Sequence, residues 1–258
     1  MDFRARRQFA ALLVFVMILG LAGFIFWRSF VHEETCSDGR LNQNEEAIDC
    51  GGACVPCLVK NRKEPEVRWA RATSMRADMY DAVVEVRNPN DRVAASRIDY
   101  EFRLIDGAGN IAARQRGRSF LYASELAHFV EFGIRATSTI ARVEFSVSDT
   151  DWVVSDALRP DIIAADRVYA VEERDGVRVS VARALLQNRS LRDMADLRVT
   201  AFLLDESGNL LGANGTEISE VRPEDSVSLV FSWPVVFGAP VEAIIIEARP
   251  KRFDLSNP

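Results

Sequence analysis

Ile98-Asp-Tyr-Glu-Phe-Arg-Leu104, followed by Asp106-Gly-Ala-Gly-Asn110, returns 99 residues later as Leu197-Arg-Val-Thr-Ala-Phe-Leu203, followed by Asp205-Glu-Ser-Gly-Asn209. In the first copy apolar and charged residues alternate with period two, so the segment predicts a strand with one buried face and one wet face. The Asp-x-x-Gly-Asn that follows puts Gly where a hairpin loop needs positive φ. It also puts Asp and Asn where side chains bond their own backbone, so Asp106 and Asp205 read as turn residues rather than ligands. The same offset aligns Glu125 with Glu224, Val130 with Leu229, Phe132 with Phe231, Phe145 with Ile244 and Val147 with Ile246. Asn88 and Asn188 match at an offset of 100, which places a one-residue insertion between. A repeat of this length marks two copies of one domain. Val83–Val86, Val143–Val147 and Val177–Val181 read as further strands, and no segment of the repeats shows sustained helical periodicity. The expectation is all-β: two tandem antiparallel sandwiches of immunoglobulin-like or fibronectin-like architecture, at 66–154 and 166–250. The stretch 155–165, with Pro160, is then the connection, and 251–258 a tail.

Outside the repeats, much of the 48% hydrophobic content is concentrated in one run. Phe9–Trp27 contains 19 residues, of which only Gly20 and Gly23 are not hydrophobic. At ~1.5 Å per residue the run covers roughly 28 Å, close to the ~30 Å hydrocarbon core of a bilayer. Residues 9–28 therefore read as a single-pass signal anchor behind a basic segment, 1–8. Trp27 and Arg28 mark the far interface, and Arg4, Arg6 and Arg7 predict a cytoplasmic N-terminus with the bulk exported. A cleaved signal peptide fits less well, because the run is long and Arg28-Ser-Phe-Val-His32 has no small-residue cleavage site. Beyond Trp27 the chain carries 29 basic and 37 acidic residues, which argues against nucleic-acid binding.

All four cysteines lie between Cys36 and Cys57, within a module at 33–58, and the polar stretch 59–65 reads as a linker. An even count in an exported setting favours two disulfides among Cys36, Cys50, Cys54 and Cys57, with three possible connectivities. So short a segment cannot bury its own core, which makes covalent closure the natural way to order it. Two ligand readings compete. Four thiolates could take zinc, but the C-x13-C-x3-C-x2-C spacing contains one knuckle-like pair rather than two. Asp38, Asn42, Glu45 and Asp49 are hard oxygen donors and the candidate calcium ligands; alternatively they solvate the loop and cap its turns. A thioredoxin-type role for Cys54-Val-Pro-Cys57 lacks the βαβ context it needs.

Two resemblances follow from these residues. The pattern C-x-D-G-x-x-N-x-x-E-x-x-x-D-C-G-G-x-C-x-x-C over Cys36–Cys57 resembles a short cysteine-rich module of secreted and surface-anchored microbial proteins. That likeness implies an extracytoplasmic, structural or adhesive role and no catalytic residue. Leu186-Gln-Asn188, Leu197–Leu204, Asp205-x-x-Gly208-Asn209 and Val221-Arg-Pro-Glu224 resemble the small FxLYD-type β-sandwich domain, itself similar to late-embryogenesis sandwich domains. The naming stretch appears as Phe102-Arg-Leu-Ile-Asp106 and Ala201-Phe-Leu-Leu-Asp205, in both cases without the Tyr. The likeness implies a binding or structural module.

Chemistry is sparse. His32 lies beside the anchor and His128 is the single histidine of the repeats, so a Ser-His-Asp set or a His-rich metal site is excluded on count. At an offset of 99, His128 corresponds to Val227 and shares phase with Val130 and Phe132, which predicts a core histidine. Glu172 and Glu173 are adjacent on a strand and face opposite sides. Trp69, Trp152 and Trp233 read as core plugs, and Asn188 and Asn214 begin formal glycosylation sequons. The functional expectation is a membrane-anchored, extracytoplasmic, non-enzymatic scaffold or protein-binding module without a cofactor, facing a protein or envelope partner. The alternative is a metal- or redox-responsive sensor built on the cysteine module.

Overall fold

The computed structural model describes residues 3–30, 35–76 and 78–253, with the side chains of 3–7, 10, 28–30 and 76 outside the description. His32 and the side chains of Arg4, Arg6, Arg7 and Arg28 therefore lie outside the described residues. The chain divides into two compact units, Met1–Lys60 and Asn61–Pro258.

In the first unit, α1 (Phe3–Phe30) is followed by a turn-rich loop and the single-turn α2 (Cys57–Lys60). Every described side chain from residue 11 to residue 27 is exposed, including Trp27, whose ring lies 6.4 Å from that of Phe24. Among the described residues no helix is long and apolar enough to cross a membrane.

The loop is closed by two interleaved disulfides, Cys36–Cys54 and Cys50–Cys57, which settles the connectivity that the sequence left open. They point to an extracytoplasmic or otherwise oxidising setting. Gly51 and Gly52 both have positive φ, and a Cβ on Gly52 would run into the Asn44 carbonyl. Only glycine can bring the chain so close to itself there, which explains the Cys-Gly-Gly run.

Among its described residues the second unit holds twelve strands: β1 (Glu66–Arg76), β2 (Met79–Arg87), β3 (Val93–Asp106), β4 (Ile111–Leu121), β5 (Leu126–Arg135), β6 (Ile140–Val154), β7 (Ile162–Arg174), β8 (Val177–Asn188), β9 (Met194–Leu204), β10 (Leu210–Val221), β11 (Ser226–Trp233) and β12 (Ala243–Pro250). Their order, β1-β2-β5 and β4-β3-β6, recurs six strands later as β7-β8-β11 and β10-β9-β12, antiparallel throughout. Within each repeat two sheets enclose an apolar core, around Ile98, Phe102 and Phe129 in the first and Leu197, Phe231 and Trp233 in the second. The hairpin turns have the geometry expected of them. Asp106 N donates to Asn110 O and Asp205 N to Asn209 O, while each Asp side chain accepts backbone N–H bonds of its own turn.

Asn88 and Asn188 are equivalent and fully buried. Asn88 Nδ2 donates to the Val93 and Tyr122 carbonyls, and Asn188 Nδ2 to those of Arg192 and Val221. Asn188 is thus consumed by the fold, so its sequon cannot carry a glycan in the folded chain. Replacing Asn88 by Ala leaves two buried carbonyls unsatisfied, and we expect a loss of about 2–6 kcal/mol, at about 1–3 for each stranded group. Urea unfolding checks this; a loss under about 1 kcal/mol would mean that water replaces the amide.

Strand pairing corrects the repeat register at β5. Ile98 and Leu197 keep the offset of 99, since they face Ser119 and Ile218. From Ala95 to Ile98 β3 takes three steps against two on β4, Leu121 to Ser119, so Ser96-Arg97 bulge opposite Phe120. From Met194 to Leu197 β9 takes three steps against three on β10, Val221 to Ile218, so β10 holds one residue more than β4. Downstream the offset is 100: Val84 faces Phe129 as Ala184 faces Leu229. His128 is therefore equivalent to Ser228, not Val227, and points away from its own core. A slip of one residue exchanges the two faces of a strand.

Candidate binding cleft at the junction of the two repeats

The outward face of β1-β2-β5 is not wet. Val83 and Val130 pack with Phe202, Leu210 and Ala213 of the second repeat, flanked by Trp69, Leu204 and Ile245. Two sheets thus meet face to face between the repeats, which makes a third apolar layer. Arg71 bonds the Gly208 carbonyl, and Thr73 Oγ1 donates to Leu211 O at 3.1 Å. Trp69 belongs to this junction rather than to a repeat core; Trp233 is a core residue as expected, and Trp152 borders the first core beneath Arg62.

Charges are buried at one end of the junction. Glu247 Oε2 accepts from His128 N at 3.1 Å and meets His128 Nδ1 at 2.9 Å, while Nε2 meets Glu85 Oε2 at 3.2 Å. The imidazole lies between Trp69 and Phe202, with ring centroids 5.6 and 4.7 Å away. Arg249 Nη2 donates to Phe120 O at 2.7 Å and to Glu125 Oε2 at 3.2 Å. Arg159, from the segment before β7, reaches Glu247 Oε1 at 3.4 Å and Glu125 Oε1 at 3.8 Å. Burial raises Glu247, but the His128 hydrogen bond and the charges of Arg249 and Arg159 outweigh it and hold the carboxyl below its ordinary range. For Glu125 burial dominates and pushes the carboxyl up, Arg249 only partly offsetting it.

Beside this network opens a cleft of about 170 Å³, lined by both repeats. Arg118, Phe120, Phe129 and Tyr100 come from the first repeat; Arg198, Thr200, Arg249 and Lys251 come from the second. The position of Tyr100 depends on Gly117, which faces it on β4. Tyr100 Oη donates to Glu131 Oε1 at 2.9 Å. Burial, reinforced by the Glu131 charge, pushes the phenol up, and burial likewise raises Glu131. A Cβ at Gly117 would run into both the Tyr100 ring and the Glu131 carboxylate. Gly117→Ala should cost about 1–3 kcal/mol by overpacking, read as a lower unfolding midpoint. An unchanged midpoint would show that Tyr100 moves aside freely.

The calcium candidates of the first unit are brought together, but bonded to one another and to the loop. Asp38 Oδ2 accepts from Asn42 Nδ2 at 2.8 Å, and this bond leads the effects that hold Asp38 low. Glu45 Oε2 accepts from Asn42 N and Asp49 N, and Asp49 Oδ1 accepts from Gly39 N. Glu45 Oε1 lies 3.2 Å from Cys54 Sγ. Cys36, Glu45 and Cys54 form a close group, but both sulfurs are held in one disulfide and are not thiolate ligands. All four cysteines are bridged, so a four-thiolate zinc site is not available in this oxidised state.

Sequence reasoning missed the junction, although a signal was present. Ala82-Val-Val84 of β2 and Ala201-Phe-Leu203 of β9 are apolar without alternation and are fully buried on both faces. Continuous apolar runs of this kind mark strands covered on two sides. By contrast, β3 keeps its alternation because its outer face is wet. There Asp99 pairs with Arg97 and Arg118, and Glu101 with Arg103, Arg114 and Arg116.

No protein-family model matches this chain, and no curated protein matches it. Among solved structures, red sea bream transglutaminase aligns at 13% identity with a TM-score of 0.25, over 75% of this chain and 30% of that one. A likeness of that strength carries no argument about fold or activity.

Proposed function

We propose that this protein is a membrane-tethered, extracytoplasmic, non-enzymatic binding module and scaffold. The observation that carries this reading is the junction: the repeats are fused through a shared apolar layer and a buried charge network, and a cleft lies on their common edge. A body of this kind holds a surface in fixed geometry. Each repeat is read as an immunoglobulin-like sandwich of the FxLYD type, supported by the paired three-stranded sheets around each core. The tether is α1, whose 28-residue backbone carries the uncharged run 9–27 between basic flanks. The non-enzymatic reading is supported by His128, whose ring nitrogens both face carboxylates and are committed to the junction.

Alkaline carbonate extraction of membranes from cells producing the full chain tests the tether. The chain should stay in the pellet, and protease added outside intact cells should release a fragment close to 61–258. Extraction into the supernatant, or protection of the repeats from outside protease, would overturn the topology. Recovery of an envelope component with the tagged chain tests the binding role, and a chain that repeatedly returns alone counts against it.

A further inference from the structure

The cleft wall carries a guanidinium that no hydrogen bond or ion pair among the described residues holds. Of its lining cations, Arg118 is paired with Asp99, Lys251 with Glu217 and Arg249 with Glu125. Among the described residues Arg198 has no ion pair and no side-chain hydrogen bond, although it stands exposed on the cleft wall. Its neighbour directly across the β9–β12 ladder is Arg249, so two guanidinium-bearing positions share one face. Like charges placed opposite each other across strands are destabilising. The other ladder neighbour, Glu217, is engaged by Lys251 at 2.8 Å. Glu131, behind the Tyr100 ring, is bonded by the Tyr100 hydroxyl and by Gln115. The wall between these polar groups is apolar, formed by Phe120, Phe129, Val130 and Pro250.

We propose that this cleft binds a small monocarboxylate with a compact apolar body, its carboxylate held by Arg198. The inference rests on reading the second unit as a binding module and names the ligand class of its cleft. A guanidinium presents a planar fork that matches a carboxylate, and an anion placed there also screens Arg198 from Arg249. One guanidinium with its donors free fits one carboxylate. The Glu131 and Glu217 carboxylates already lie in the field of Arg198 and disfavour a second negative charge, so a dianion such as phosphate fits less well. The size is set by the cavity: 170 Å³ is close to the roughly 150 Å³ that accommodates a single benzene ring in an engineered cavity.

Benzoate is therefore the probe, titrated calorimetrically into the full chain in nonionic detergent, with benzamide and inorganic phosphate as parallel arms. Benzoate should bind saturably with a Kd of about 1 mM, a modest value for nine non-hydrogen atoms. Benzamide should bind at least about 10-fold more weakly, because the neutral head loses the charge-assisted bond. Arg198→Gln should weaken benzoate about 10- to 100-fold on the same grounds, without lowering the unfolding midpoint. Arg114→Gln, on the outer face of β4, should leave benzoate affinity unchanged. The proposal is overturned by absence of saturation up to 10 times the expected Kd, by equal binding of benzamide, by phosphate binding more tightly than benzoate, or by an Arg198→Gln variant that binds as before. Each of those results leaves the carbonate and protease outcomes untouched, so failure of the ligand assignment is separable from failure of the tether.

Discussion

Reducing the two disulfides should unfold residues 36–60 and leave the twelve-stranded unit folded. The cysteine module has almost no core to fall back on. Its buried apolar side chains are Cys50 and Val59, whereas Leu41, Ile48, Val55 and Leu58 are exposed. Its order comes from the bridges and from short polar bonds, such as Glu45 to Asn42 N and Asp49 N. Closing loops with sequence separations of 18 and 7 restricts the unfolded chain by about 3 and about 2 kcal/mol. The two terms overlap because the loops interleave, but even the larger is of the order of the stability of so short a segment. Hydrogen exchange on the full chain, before and after reductant, reads the result. Amide protection over 36–60 should vanish while that of β3 and β9 persists, and thiol titration should rise from none to four. Persistent protection after reduction would sink this account, as would free thiols in the native chain. Adding calcium to the reduced chain tests the ligand reading of Asp38, Asn42, Glu45 and Asp49: restored protection would support it, and indifference would leave them as turn formers.

Arg249→Met should cost the second unit about 3–5 kcal/mol, the range expected when one member of a buried ionic network is removed. It leaves Glu125 and Glu247, both almost wholly buried, with Arg159 as the remaining cation within reach. It also removes the donor to the Phe120 carbonyl and the cation stacked 4.8 Å from the Phe120 ring centre. The pH dependence follows by linkage. In the native chain Glu247 is held low, so its contribution is present above its unfolded value, near 4.5, and is lost as pH falls through the folded one. Glu125 is held high, so its contribution is full below about 4.5 and is lost as pH rises through the folded value. Without Arg249 both carboxyls should be raised, and Glu247 changes sign to behave as Glu125 does. The penalty of the variant should therefore be largest at pH 8 and shrink toward pH 5, as measured by urea unfolding at the two values. A penalty below about 1 kcal/mol, or one that grows on acidification, would show that the network does not hold the junction.

The junction also shows how far the sequence could be read. Alternation along Ile98–Leu104 identified the wet face of β3, and that face carries the Arg–Asp ladder. Reading β5 at the same offset failed because β10 holds one residue more than β4, whose shorter run faces the Ser96-Arg97 bulge, and a period of two turns a one-residue error into the wrong face. His128 was thereby assigned to a core, while it actually joins Glu85 and Glu247 of different repeats. The cleft residues were not legible at all. Arg118, Arg198 and Arg249 are unremarkable as separate strand positions, and nothing local marks them as neighbours.

What the sequence alone determined is whatever depends on near neighbours and on period: the strands, the Asp-x-x-Gly-Asn turns, the repeat, the apolar run at 9–27 and the clustering of the cysteines. Backbone preference and side-chain alternation act over a few residues, so they can be read along the chain. Tertiary structure decided which cysteine meets which, which outer sheet faces are covered, and where unpaired charge collects. Those outcomes depend on contacts between residues about 120 positions apart, such as His128 and Glu247, and a pairing of that kind is written in no local segment.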